Sequence, residues 1–181
     1  MKLSPRPRLV IIVTGSVGSG KTSLLEKAAS LLKTEGVSVA GLIALTLLEE
    51  GERRGYIAHD LLTGEERILA RTAPFNTSLR QGAFYFFEDS FRWAEGLFSR
   101  GFDSHVFILD EVGRLELRRM GHYPLIETIL QRFEGCFIIT ARRDILRELT
   151  ALFKIGMADV IDIEGEEDPL HRLQELIKAA I

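Results

Sequence analysis

Leu9-Val-Ile-Ile-Val-Thr-Gly15-Ser-Val-Gly-Ser-Gly-Lys21-Thr22 joins an apolar, β-branched run to a glycine-rich stretch ending in Lys-Thr. Residues 9–13 read as a buried strand and residues 22–35 follow with helical periodicity, so the glycines lie in a turn between strand and helix. In that context residues 15–22 form a phosphate-binding loop. Glycines at 15, 18 and 20 let the backbone wrap tightly and turn its N–H groups inward at a helix N-terminus, where the dipole favours anions. The expected nucleotide-binding residues are Gly15, Ser16, Val17, Gly18, Ser19, Gly20, Lys21, Thr22 and Ser23. Lys21 is expected to reach the β- and γ-phosphates of a nucleoside triphosphate, and the Thr22 hydroxyl to ligate Mg2+.

Working outward, the first helix carries Leu24, Ala28, Leu31 and Leu32 on one face and stops at Gly36. Residues 37–46 are a second apolar segment, residues 49–55 a polar turn, and residues 56–62 and 67–71 two further strands around a turn at 63–66. This predicts an antiparallel hairpin excursion at about 37–71. Residues 72–83 lack periodicity and read as a loop that orders around ligand. Asp89 or Ser90 is expected to cap a helix bearing Phe91, Ala94 and Phe98. A strand at 106–109 precedes a helix that starts near Pro124, carries Ile126, Ile129, Leu130 and Phe133, and ends at Gly135. After a strand at 137–139, Asp144 is expected to cap a helix with Ile145, Leu149, Leu152 and Phe153. Residues 160–163 form the last strand, and Asp168-Pro169 opens a terminal helix with Leu170, Leu173 and Ile177 inward. This alternation predicts an α/β fold of the P-loop NTPase kind. Its sheet is doubly wound and mostly parallel, with helices on both faces, in one domain over residues 1–181.

Composition narrows the class. The chain has 181 residues, 46% of them hydrophobic and 27% charged, with a net charge of −3 that gives no general attraction to nucleic acid. Lys2, Arg6 and Arg8 make a small basic arm, interleaved with Pro5 and Pro7, that reads as a solvated tail. The single cysteine, Cys136, excludes an internal disulfide and reads as a buried strand residue. The apolar run at 9–13 is too short to span a bilayer or to serve as a signal core, so a cytoplasmic location without membrane contact is expected. No histidine has a metal-ligand spacing with a cysteine or another histidine.

In an open parallel sheet, ligands collect beyond the carboxyl ends of the strands. Val106-Phe-Ile-Leu-Asp110-Glu111 ends a buried strand in two acids, as a Walker B element does. Asp110 is the expected second holder of Mg2+, and Glu111 the group that polarises the attacking water. A positioned arginine stabilises charge developing on the γ-phosphate. Arg114, beside the flexible Gly113, ranks ahead of Arg142, with Arg143 and Arg53 as further candidates. The expected catalytic set is Glu111, Lys21 and Arg114. Glu116 reads equally as an orienting carboxylate or a helix-start charge.

The run Asp110-Glu-Val-Gly-Arg-Leu-Glu-Leu117 resembles the signature of the small nucleoside-triphosphatase family first recognised in thermophiles, whose animal members are called cancer-related nucleoside-triphosphatases. Gly41-Leu42, the charged residues 50–53, the step Arg53-Arg-Gly-Tyr56 and residues 82–91 resemble further parts of that family's pattern. The resemblance covers about residues 9–140. It implies Mg2+-dependent hydrolysis of nucleoside triphosphates to diphosphate and phosphate, with little selectivity among bases. Gly165-Glu-Glu-Asp168 and Thr140-Ala-Arg-Arg143 depart from the pattern, so base contacts are not carried over. Two other readings stand beside hydrolysis: a nucleotide or small-molecule kinase with Arg142, Arg143 and Arg147 as its lid, and a nucleotide-dependent switch read by a protein partner. Phosphate release without an acceptor separates the first reading from these.

Overall fold

The computed structural model describes residues 7–181. Lys2, Pro5 and Arg6 of the basic arm lie outside the described residues. In chain order the strands are β1 (Leu9–Gly15), β2 (Val39–Glu49), β3 (Glu52–Asp60), β4 (Glu66–Arg71), β5 (Arg80–Gln81), β6 (Phe84–Phe86), β7 (Val106–Val112), β8 (Cys136–Arg142) and β9 (Asp159–Asp162). The helices are α1 (Lys21–Thr34), α2 (Glu88–Gly101), α3 (Arg114–Leu117), α4 (Tyr123–Arg132), α5 (Leu146–Leu152) and α6 (Pro169–Ala180).

All nine strands form one sheet in the order β5-β6-β4-β3-β2-β7-β8-β1-β9. From β2 to β9 the neighbours run parallel; from β2 to β5 they run antiparallel. Because side chains alternate faces along a strand, each parallel strand feeds two cores. Val10 and Ile12, Phe107 and Leu109, and Phe137 and Ile139 pack with α2 and α4 on one face. Ile11 and Val13, Val106 and Ile108, and Cys136 and Ile138 pack with α1 and α6 on the other. Helices on both faces of a mostly parallel sheet are as expected. Burial of the Cys136 thiol pushes its pKa up to about 12, which suits a packing role.

Several local expectations need correction. The turn at 49–55 shrinks to Glu50 and Gly51, both at positive φ (53° and 79°), the two-residue geometry that matches strand twist. Arg53 therefore sits in a strand rather than a turn. The antiparallel part also runs past residue 71, because β5 and β6 extend it to Phe86. Leu31 is 40% exposed while Leu25 and Ala29 are buried, since they complete the stripe through Leu24, Ala28 and Leu32. Helix α2 begins before either expected cap: Phe87 is the N-cap, and the Ser90 hydroxyl instead donates to the Ile68 carbonyl of β4. Helix α4 ends at a C-cap on Phe133, short of Gly135. Asp144 lies in a 3-10 turn (Arg143–Ile145) and caps nothing, its carboxylate being taken by arginines. Asp168 does cap α6, accepting from the His171 N–H.

Among the described residues no helix is long and apolar enough to cross a membrane.

Candidate active site

The loop from Gly15 to Gly20 leaves the carboxyl end of β1 and turns into α1, whose first residue is Lys21. A side chain at Gly15 would place its Cβ 2.6 Å from the Ser19 hydroxyl oxygen, so the tight wrap needs glycine there. The Lys21 ammonium is folded onto the loop, donating to the carbonyls of Ser16 (2.6 Å) and Gly15 (3.3 Å). Val17, Gly18 and residues 20–23 line the adjoining cavity. Ser16 faces elsewhere: its N–H and hydroxyl both donate to the Glu164 carboxylate at 2.8–2.9 Å. Glu164 in turn accepts from Arg143 at 3.0 Å, so a carboxylate just after β9 clasps the outer side of the loop. The Ser16 hydroxyl, then its N–H, and the Arg143 partner hold the Glu164 carboxyl below its usual range.

At the end of β7, Asp110 is 1% exposed and accepts four hydrogen bonds. Thr22 Oγ1 (2.7 Å) and the Ala44 N–H (3.2 Å) reach one carboxylate oxygen. Thr140 Oγ1 (2.5 Å) and the Glu111 N–H (2.9 Å) reach the other. Strand β7 departs from β8 here, with a register shift between Leu109 and Val112. Within that bulge Glu111 has φ of 57°, a left-handed conformation that a non-glycine residue adopts at a cost of about 1–3 kcal/mol. Its N–H is held by the Thr140 hydroxyl at 2.8 Å. Thr140 thus ties the backbone of one acid to the side chain of the other.

The bulge turns the Glu111 side chain into the cavity, open to solvent there yet enclosed by protein on its other sides. Burial, seconded by the neighbouring Asp110 charge, pushes its carboxyl up to about 7, with Lys21 and Arg53 pulling the other way. The carboxylate can therefore take up and release a proton near neutrality.

The antiparallel strands supply the facing wall. The Arg53 guanidinium lies over the rings of Tyr56 (5.7 Å) and Phe84 (5.4 Å). Burial, and then the Glu111 charge, raise the Tyr56 hydroxyl above its ordinary pKa, which places it in the field of the acid pair. The cavity has a volume of about 460 Å3, and Leu69, Phe86, Phe91 and His122 are also among the residues that line it.

Glu116 is an anchor. Buried at 2% exposure, its carboxylate accepts from the Gly113 N–H (2.7 Å) and the His122 N–H (2.8 Å), closing the turn after Glu111. Burial raises its pKa against the pull of those two hydrogen bonds.

The arginines divide. Arg114 and Arg142 line the cavity but share Asp144, at 3.1 and 2.9 Å. Arg143 pairs with Asp162 and Glu164. Of the three arginines of the alternative kinase reading, Arg142, Arg143 and Arg147, the first two are engaged by carboxylates. Arg53 is the arginine whose charge acts on Glu111. Sequence reasoning missed Thr140, Tyr56, His122 and Glu164. Thr140 and Glu164 carry a positional signal, since each stands at or just beyond the carboxyl end of a strand flanking β1.

A glycine loop between a buried parallel strand and a helix, with a buried aspartate on the threonine that follows the loop lysine, defines a P-loop nucleotide-binding fold. Residues 10–168 match the family described as NTPase, and the chain belongs to that family. It is 32% identical over 117 residues to the nucleoside-triphosphatase THEP1 of Thermofilum pendens, covering 64% of each chain. It is 34% identical over 109 residues to that of Methanopyrus kandleri, covering 60% of this chain and 59% of the relative. The match thus spans less than two thirds of either relative. The fold is also that of THEP1 from Aquifex aeolicus, with a TM-score of 0.74 at 22% identity over 94% of this chain and 99% of that one. The human cancer-related nucleoside triphosphatase superposes with a TM-score of 0.70 at 21% identity, covering 94% and 96%.

Proposed function

We propose that this chain, acting as one domain, is a Mg2+-dependent nucleoside-triphosphatase that hydrolyses the terminal phosphoanhydride with water as acceptor. The observation that carries the reading is the contact of Thr22 Oγ1 with Asp110 at 2.7 Å, with Glu111 turned into the cavity beside it. Hydroxyl and carboxylate oxygens are the hard donors that Mg2+ prefers, so Thr22 and Asp110 fit as its holders. A metal held there would supply positive charge to offset the negative charge of the phosphates.

The protein's own groups do the rest. Loop N–H groups and the Lys21 ammonium, released from the Ser16 and Gly15 carbonyls, hold the phosphates. Glu111 orients a water and accepts its proton as the water oxygen bonds to the γ-phosphorus, while the diphosphate leaves with the bond's electron pair. Arg53, whose charge acts on Glu111, steadies the charge on the phosphoryl group in transfer. Low base selectivity accords with the relatives' name, which specifies no base. The test is phosphate release from ATP, GTP, CTP and UTP with Mg2+ and no other acceptor. Release from several nucleotides is expected, falling about 10²–10⁴-fold in Glu111→Gln. Full activity in that variant refutes the role of Glu111.

A further inference from the structure

Ser16 stands among the residues expected to contact nucleotide, yet it does not line the cavity that Val17, Gly18 and residues 20–23 line. Both of its donors are already engaged. The N–H reaches Glu164 Oε2 at 2.9 Å, and the hydroxyl lies 2.8 Å from each oxygen of that carboxylate. Among the described residues, no other hydrogen bond ties residues 16–19 to anything beyond the loop and Lys21. On its other side the Ser16 carbonyl accepts from the Lys21 ammonium at 2.6 Å and from the Ser19 N–H at 3.3 Å. One residue therefore joins the segment after β9 to the lysine expected to meet the phosphates.

Glu164 is itself held by the strand beside β1. Strand β9 pairs with β1, and just past it the Ile163 N–H donates to the Thr14 carbonyl at 3.0 Å. The Asp162 carbonyl closes the turn, accepting from the N–H groups of Gly165 and Glu166 at 2.9 and 3.0 Å. Asp162 Oδ1 accepts from the Glu164 N–H at 3.2 Å, and Arg143 bridges that oxygen (2.6 Å) to Glu164 Oε2 (3.0 Å). Ile163 packs so closely behind the loop that a Cβ on Gly15 would stand 2.6 Å from its Cγ2. An unpaired carboxylate beside a phosphate-binding loop repels a triphosphate, and the Arg143 guanidinium offsets that charge.

We infer that Glu164 is a positioning residue for nucleotide: acting through Ser16, it fixes the entry to the glycine loop, so that the loop N–H groups and Lys21 meet the triphosphate in one arrangement. The inference rests on the proposed binding of nucleotide by the loop. A loop ordered beforehand binds without the entropic cost of ordering it. That gain is common to the bound substrate and the transition state, so it acts on affinity and leaves kcat alone. Ser16 then serves the placement of the loop and makes no phosphate contact of its own.

The experiment makes three measurements on the full chain. These are hydrogen exchange of the peptide spanning residues 14–20 without nucleotide, the calorimetric Kd of an ATP analogue with an imido β,γ-bridge in the presence of Mg2+, and steady-state ATP hydrolysis. Glu164→Ala is expected to open the Ser16 N–H to exchange, raise Kd and KM about tenfold, and change kcat by less than about twofold. Glu164→Gln keeps an oxygen that can accept both Ser16 donors and should hold Kd within about threefold of the wild type. Ser16→Ala should raise Kd in the wild-type background but not beside Glu164→Ala, where its hydroxyl has no partner to lose. An unchanged Kd in Glu164→Ala overturns the inference. So does a fall in kcat at unchanged KM, which would put Glu164 on the reacting phosphate. A Ser16→Ala effect of equal size in both backgrounds overturns it as well, because the hydroxyl would then serve nucleotide directly. Expected shifts in Kd and exchange with no phosphate released by the wild type support the inference and overturn hydrolysis.

Discussion

The two halves of the sheet are built differently. The parallel half, β2-β7-β8-β1-β9, is largely covered on both faces, and the cores of β1, β7 and β8 are at or near zero exposure. The antiparallel half, β3-β4-β6-β5, is thinner: β3 starts with three exposed residues and every residue of β6 is half-buried. The first half carries the phosphate loop and both acids; the second supplies Arg53, Tyr56 and Phe84 opposite them. The glycine loop and the acid pair stand on the frame least able to yield, while the facing wall stands where strands can shift.

The largest expected effect breaks that comparison if it fails. Phe107→Ala, in the parallel core, should cost about 3–5 kcal/mol of stability. Phe84→Ala, half-buried in β6, should cost less than half as much. Urea unfolding of both variants checks this, and equal losses would mean that the halves are equally packed.

Next in size is the arginine contrast. Arg53→Ala should lower kcat about 10²-fold, or about 2.7 kcal/mol, as expected for losing one donor to a developing oxyanion. Arg114→Ala should lower it less, because Asp144 already holds that side chain. The reverse order in steady-state kinetics would return the role to the parallel side.

A smaller effect concerns pH. His122 is neutral in the folded chain, its pKa down to about 3 from an ordinary 6.5, so the unfolded chain binds more protons between those values. Its contribution is fully present above pH 6.5 and is lost as pH falls, by up to about 1.4 kcal/mol per unit. The stability difference between the wild type and His122→Phe should be constant above pH 6.5 and shift in the variant's favour below it. Glu116 opposes this trend, its raised pKa favouring the folded chain as pH falls, but it is common to both proteins and cancels. A pH-independent difference would place the His122 ring in water.

The smallest effect sharpens the picture of the bulge. Glu111→Gly should relieve the positive φ and stabilise the fold by about 1 kcal/mol while abolishing hydrolysis. Thermal melting and phosphate release on the same sample test both parts, and a destabilised variant would show that the conformation carries no strain.

Much was legible in the sequence because it depends on short-range order. The phosphate loop needs only its glycines and its strand and helix flanks, and the pair Asp110-Glu111 is marked by ending a buried strand. The misplaced elements are those where a distant partner outbids a local signal. Asp144 resembles a helix cap until Arg114 and Arg142 take its carboxylate. Ser90 resembles one until its hydroxyl finds β4. Arg53 reads as a turn residue because the exposed, polar start of β3 imitates a loop.

By itself, the sequence determined the α/β alternation, the glycine loop between strand and helix and the two acids at a strand end, because hydrophobic period, glycine placement and strand ends are properties of consecutive residues. Only the tertiary structure decided which arginine faces Glu111, that Thr140 fastens the acid pair across 30 positions, and that His122 is buried with neither ring nitrogen partnered among the described residues. Those relations depend on the strand order and on the bulge in β7, and long-range pairing of that kind leaves no mark on neighbouring residues.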